Sequence, residues 1–166
     1  MAGADPPESL PTRSGETART FMTITNHVFV DYQNMKRVDP AVFGSEKLTS
    51  ITLLLGRQNL SLELSAVKEL LRTVASVELV RIEKDGKDAV DFTLVYYLGR
   101  KTVADPTAFF HIVSADKGFD PMIAHLKPLH IKVTRHEDFD SLLKALKPKD
   151  ASAEKATTNP GGQKAR

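Results

Sequence analysis

The sequence predicts an α/β fold built on a mostly parallel five-stranded sheet. Two observations carry the prediction. Five short apolar runs rich in Val, Ile, Leu and Phe are spaced along the middle of the chain, and most lack the alternation of half-exposed strands, which suits strands covered on both faces. Between several of them lie segments with helical apolar spacing. Strands alternating with helices imply parallel pairing through right-handed crossovers.

Taken in order, the predicted strands are HVFVD (27–31), ITLLLG (51–56), VELVRIE (77–83), FFHIVS (109–114) and IKVTR (131–135). Ahead of the third, Leu64, Val67, Leu70, Leu71 and Val74 form an apolar stripe at helical spacing. After it, Val90, Leu94, Val95 and Leu98 form a second, predicted to end near Gly99. Asp120 before Pro121 reads as an N-cap with proline at the first helical position, opening a helix that carries Met122, Ile123 and Leu126. A last helix is expected from Asp138 to Leu146.

The chain has 166 residues, 41% of them hydrophobic, enough for one domain with a real core. It has no cysteine, which excludes a disulfide scaffold, a zinc ribbon and a thiol nucleophile, and fits a reducing compartment. No apolar run approaches the ~20 residues that span a bilayer, and the start has no apolar segment of the secretory kind. A cytoplasmic protein without membrane contact is expected. Residues 1–22 and 148–166 are predicted to be disordered tails, since neither buries enough apolar surface to offset chain entropy; the domain is expected over 23–147. The net charge of +2 hides an asymmetry. From Lys147 to Arg166 there are five Lys and Arg against Asp150 and Glu154, so much of the basic character belongs to the C-terminal tail.

In parallel α/β sheets, ligands bind beyond the carboxyl ends of the strands. Asp31 follows the first strand. Ser114 and Asp116 follow the fourth, with Asp120 four residues further on. Asp88 and Asp91, three apart at the start of a helix, share a face. Carboxylates gathered at one edge repel each other and stay ionised together only beside a positive charge, for which a hard divalent cation with oxygen ligands is the usual answer. A cation held this way activates water and neutralises charge on a phosphate. Each residue also has a plainer reading: an Asx-turn for Asp31, a helix cap for Asp120, a first-turn acid for Asp88, a buried ring for Tyr32. The five histidines look scattered over strand, surface and loop. Other strand-end chemistries lack their motifs: there is no G-x-x-x-x-G-K-[ST], no G-x-G-x-x-G after the first strand, and no G-x-S-x-G.

The segments HVFVDYQNM, GKDAVDFTLVYYLGR and FFHIVSADKGFDPMIAHL, in this order and spacing, resemble the PIN-like domains of the NYN type over residues 27–135. The resemblance implies a Rossmann-like three-layer α/β/α sandwich and Mg2+- or Mn2+-dependent phosphodiester hydrolysis, typically of single-stranded RNA. By the same resemblance Asp31 is the first acid, with Asn34 the amide of a D-x-x-N loop. Asp91 is the acid of the helix after the third strand. Asp116 and Asp120 are the acidic pair of the S-x-D-x-G-F-D segment, with Ser114 beside them. Asp31, Asp91, Asp116 and Asp120 are thus the expected metal ligands and catalytic residues. Asn34 and Ser114 are expected to orient ligands or substrate, and Lys87, Lys117, Arg57 and Arg100 to hold the nucleic-acid backbone. Two positions depart from the pattern: Gln33 stands where relatives often have Glu, and Asp88 where Asn is more frequent. The alternatives are a PIN-like module that binds RNA or protein without cleaving, a structure-specific DNA nuclease, and a small-molecule phosphohydrolase, which needs a closed pocket. A homodimer has no signature in the sequence.

Overall fold

A computed structural model of the chain describes residues 24–57, 61–84, 86 and 88–147. The strands are β1 (Asn26–Asp31), β2 (Ser50–Leu55), β3 (Ser76–Arg81), β4 (Phe109–Val113) and β5 (Lys132–His136), each within two residues of its predicted bounds. They form one sheet in the order β3-β2-β1-β4-β5, and every pairing is parallel. The helices are α1 (Tyr32–Met35), α2 (Pro40–Phe43), α3 (Leu64–Arg72), α4 (Ala89–Ala104), α5 (Asp120–Leu126) and α6 (Phe139–Leu146). From β1 the chain runs outward to β3, then crosses back to lay β4 on the other side of β1. The strand order therefore reverses between β1 and β4, and in an open α/β sheet that switch point opens a crevice beyond the carboxyl ends.

Side chains of successive strand residues point to opposite faces, and in the central strands both faces are buried. Val28, Val30, Ile51 and Leu53 pack with Val42, Phe43, Phe139 and Leu142 of α2 and α6. Phe29, Leu54, Phe110 and Ile112 pack on the other side with Leu94 and Leu98 of α4 and with Phe119. This gives the three layers and explains the unbroken apolar runs of β1, β2 and β4. At β3 the expectation of double burial fails: only Val80 of its six residues is buried, because the strand forms one edge of the sheet. The stripe on α3, which leads into β3, also departs from expectation. Val67 and Leu70 are only half-buried, and Leu64, Leu71 and Val74 (the last beyond the helix end) are exposed. The one buried residue of α3 is Ala66, outside the stripe; a helix beside an edge strand has too little sheet to cover its whole apolar arc.

Helix ends follow local chemistry, with two corrections. α4 does not stop near Gly99 but continues to Ala104. A mid-helix glycine costs only about 1 kcal/mol relative to alanine, and the helix ends instead at Asp105, just before Pro106, where proline disfavours helical backbone. Asp120 is not an N-cap either: it is the first residue of α5, and Phe119 occupies the cap position without a side-chain bond. The aspartate–proline cap occurs at Asp39, whose carboxylate accepts from the amides of Ala41 and Val42 ahead of Pro40. Asp138 caps α6 as expected, in a reciprocal capping box with Ser141. The predicted tails 1–22 and 148–166 and the position of Lys87 lie outside the described residues. Among those residues no helix is long and apolar enough to cross a membrane.

Candidate active site at the switch point

β1 delivers Asp31 to the carboxyl edge of the sheet in a buried position. Its Oδ1 accepts from the backbone N–H of Asn34 at 3.1 Å, which starts α1, and its Oδ2 accepts from the hydroxyl of Ser114 at 3.0 Å. Ser114, fully buried, is the first residue past β4, and its Oγ also accepts from the N–H of Asp116 at 3.1 Å. Asp116 is fixed in turn, its Oδ1 accepting from the Gly118 N–H at 2.7 Å in a local turn. Two neighbouring strand ends are thus joined through one serine hydroxyl, and the join orients two carboxylates. Asp91 arrives from a third element, in the first turn of α4. Asp88, the residue before that helix, holds a left-handed backbone with φ 61°.

The electrostatics show that these acids share one space. Burial pushes the Asp31 carboxyl above its ordinary range; bonds from Ser114 and Asn34 pull it back, and the charge of Asp116 pushes it up again. Asp91 is also raised, first by burial, then by repulsion from Asp116, Asp31 and Asp88. Among the described residues none of Asp31, Asp91 and Asp116 is in a salt bridge.

They face a groove of about 810 Å³ that runs along the strand ends. Asp31, Gln33, Asn34 and Lys36 line it from the end of β1 and from α1, and Gly56 and Arg57 follow β2. Lys84 and Gly86 lie beyond β3, Asp88 and Asp91 at the start of α4, and Asp116 beyond β4. The side chain of Gln33 lies over the Cα of Gly56, where any Cβ would collide with its amide. The departure from glutamate therefore places a neutral amide on the groove wall.

Of the residues expected at the site, Asp31, Asp91, Asp116, Asn34 and Arg57 line this groove, and Ser114 stands behind Asp31. Asp120 does not join them. Its carboxylate meets the guanidinium of Arg135 on β5, with Nε to Oδ1 at 2.7 Å and a second bond at 3.3 Å. The Arg135 bond holds the Asp120 carboxyl below its ordinary range. The cause is local: the 3-10 turn Lys117–Phe119 separates Asp120 from Asp116 and brings it beside β5. Lys117 sits exposed on that turn, outside the groove lining, and Arg100 lies over the rings of Tyr96 and Tyr97 further along α4. Tyr32 is buried in the core layer of α2 and α6.

Sequence reasoning missed several groups. Lys36 and Lys84 line the groove without any motif to announce them. Arg135 ties Asp120 to the site, since its Nη1 also donates to the carbonyl of Ser114 at 3.1 Å. Three histidines that looked scattered are buried in strands. His27 meets Ser50 and Asp105, while His111 Nδ1 and His136 Nε2 lie 3.0 Å apart. Asn26 Oδ1, 3.1 Å from His111 Nε2, can only accept, so His111 carries its hydrogen on Nε2 and accepts at Nδ1 from His136.

The acids that line the groove offer oxygen donors whose crowded negative charge is the chemistry a hard divalent cation takes. Among the described residues no three acid or imidazole side chains are gathered closely enough to hold an ion by themselves. An ion that keeps several of its own waters, as magnesium does, fits such an open set.

No curated protein and no solved structure gives a significant match to the chain. A family model described as a PIN domain matches residues 25–136, from the residue before β1 to the last residue of β5. On that match, the parallel sheet and the groove at its switch point, the chain belongs to the PIN domain family, whose members are generally metal-dependent nucleases.

Proposed function

We propose that this chain is a divalent-metal-dependent endoribonuclease of the NYN type that cleaves single-stranded RNA. One observation carries the reading: Asp31, Asp91 and Asp116, brought by three separate elements, line one groove, where burial and then the neighbouring acid charges raise the proton affinity of Asp31 and Asp91. The subtype is supported by where its motifs fall: D-x-x-N spans the end of β1 and α1, the acid lies in the first turn of α4, and S-x-D-x-G-F-D follows β4. The domain proper is taken as 23–147. An open groove rather than a closed pocket favours a polymer substrate over a small phosphoester.

Magnesium or manganese, when bound, supplies Lewis acidity toward a phosphate and a water made acidic enough to attack it. The chain's own part is placement. Asp31, Asp91 and Asp116 are the proposed ligands, and Asp31 is held in one orientation by Ser114 and the Asn34 amide. The side chain of Asn34, on the groove wall, is free to meet substrate oxygens by hydrogen bonds. Asp120, engaged with Arg135, is assigned to stiffening the loop that carries Asp116 rather than to direct ligation.

The test is cleavage of single-stranded RNA and of matched DNA with added Mg2+ or Mn2+, comparing wild type with Asp31→Asn and Asp116→Asn. Loss of cleavage in both variants, with folding retained, supports the enzyme. A wild type that cuts DNA and not RNA moves the assignment to a DNA nuclease, and one that cuts neither with any divalent ion leaves a binding module.

A further inference from the structure

The groove is charged unevenly, and the strand order sets the unevenness. Asp31 and Asp116 follow the adjacent strands β1 and β4, whereas Arg57 follows β2 and Lys84 lies beyond β3, on the other side of β1. Neighbouring strands are about 4.8 Å apart, so the ends of β2 and β3 stand roughly 5 and 10 Å from that of β1 along the sheet edge. Lys36 lines the same groove from the end of α1.

Lys36 holds its place against the local backbone preference. Its φ is 55°, in the left-handed region that glycine enters freely and other residues enter at a cost on the order of 1 kcal/mol. Its N–H closes α1 on the carbonyl of Tyr32 at 2.9 Å, a helix-ending position where glycine is the usual occupant. Among the described residues three non-glycines have positive φ, and two of them, Lys36 and Asp88, line this groove. Strain of this kind concentrates at functional positions. A cation is favoured at a helix C-terminus, but a helix of four residues has only a small dipole to reward it.

We propose that Lys36, Arg57 and Lys84 form a phosphate track on the β2–β3 side of the acids. It takes a polynucleotide whose scissile phosphate lies at Asp31 and whose neighbouring phosphates extend toward β3. This rests on the nuclease reading and deepens it: the groove discriminates by length, because a dinucleotide that reaches the acids does not also reach Lys84. Arg100 and Lys117, both outside the groove lining, take no part.

The experiment reads binding without cleavage. Fluorescence anisotropy follows a labelled oligouridylate bound by the full chain in EDTA over a range of salt, with a labelled uridylyl dinucleotide beside it. Each phosphate contact on a single strand contributes about −0.7 to the slope of log affinity against log salt. Lys36→Gly and Lys84→Ala should therefore each flatten the slope by about 0.7, and the triple variant with Arg57→Gln by about 2. Lys36→Gly should keep or raise the melting temperature, which separates lost binding from lost folding. Lys117→Ala and Arg100→Gln should leave the slope alone, and the dinucleotide should bind at least about tenfold more weakly. Three results overturn the track: unchanged slopes in the groove variants, equal flattening by Lys117→Ala or Arg100→Gln, or a wild type that does not prefer the longer strand. A chain that never cuts RNA still answers this question, so failure of the track and failure of the nuclease reading are told apart.

Discussion

The Ser114 hydroxyl donates to Asp31 Oδ2 at 3.0 Å across a separation of 83 residues in the chain, and among the described residues it is the one side-chain bond that pulls the Asp31 proton affinity down. Ser114→Ala removes that bond. Asp31 should then hold its proton to higher pH, and the acid limb of kcat/KM should move upward while the limb at high pH stays. Hydrogen bonds to charged groups contribute about 2 kcal/mol, so the variant should lose stability on that order. An acid limb that does not move would show that Asp31 ionisation does not control the rate.

Asp91→Asn should make the chain more resistant to heat in a chelator while abolishing cleavage. The folded state raises the affinity of Asp91 for its proton, so its contribution to stability is fully present below the unfolded value and is lost as pH rises through the folded one. At neutral pH the wild type therefore carries an unfavourable charge that the amide lacks. Asp91 is only half-buried and water screens the repulsion, so the gain should be at most a few degrees at pH 7 and should vanish near pH 4. Equal melting temperatures at both pH values would refute the cost that burial and repulsion together place on the Asp91 charge.

Divalent ions should stabilise the fold through the same carboxylates. An ion that binds only the folded chain adds about 2.7 kcal/mol at a concentration a hundred times its Kd. The rise in melting temperature with Mg2+ or Mn2+ should be present in wild type and in Asp120→Asn, and absent in Asp31→Asn and Asp116→Asn. If Asp120→Asn also loses the response, the Arg135 pair does not remove Asp120 from the metal site.

The buried pair His111 and His136 should weaken the fold in mild acid. Burial holds both imidazoles below their ordinary range, and a charge on His136 adds to the effect on His111, which is lowered to about 4. A depressed value means that the stabilisation is present above pH 6.5 and is lost as pH falls toward 4. The loss over that window is on the order of 3 kcal/mol. His111→Gln, which cannot titrate, should flatten this limb in urea unfolding measured at stepped pH. An unchanged limb would place the acid sensitivity elsewhere.

Much of the fold was legible because the central strands are buried on both faces, and that leaves unbroken apolar runs such as VFV and ITLLL. The acids were legible for a different reason: a parallel sheet sends the residue after each strand to one edge, so Asp31 and Asp116 meet whatever the intervening loops do. The failures are equally specific. α1 and α2 are four residues each, too short for a helical period to register. The exposure of Leu64 and Leu71 depends on β3 being an edge strand, which is a matter of strand order. Asp120 and Arg135 pair across two elements, and His111 meets His136 through the β4–β5 register, in which His136 stands opposite Val113. Contacts of that kind exist only in three dimensions. Lys36 escaped notice because its distinguishing property is a backbone angle.

The bridge between β1 and β4 also sets when the groove comes into being. Asp31 belongs to the first strand, but the hydroxyl that orients it and the carboxylate that faces it arrive only after β4 has docked beside β1. Closing so long a loop is slow relative to local helix formation, so a chain emerging from synthesis carries its first acid long before it can use it. A segment ending before Ser114 has two of the three carboxylates and lacks both Asp116 and the hydroxyl that helps orient Asp31. The facing carboxylates of Asp31 and Asp116 are therefore set in place in one step, when β4 docks beside β1 and before β5 is added.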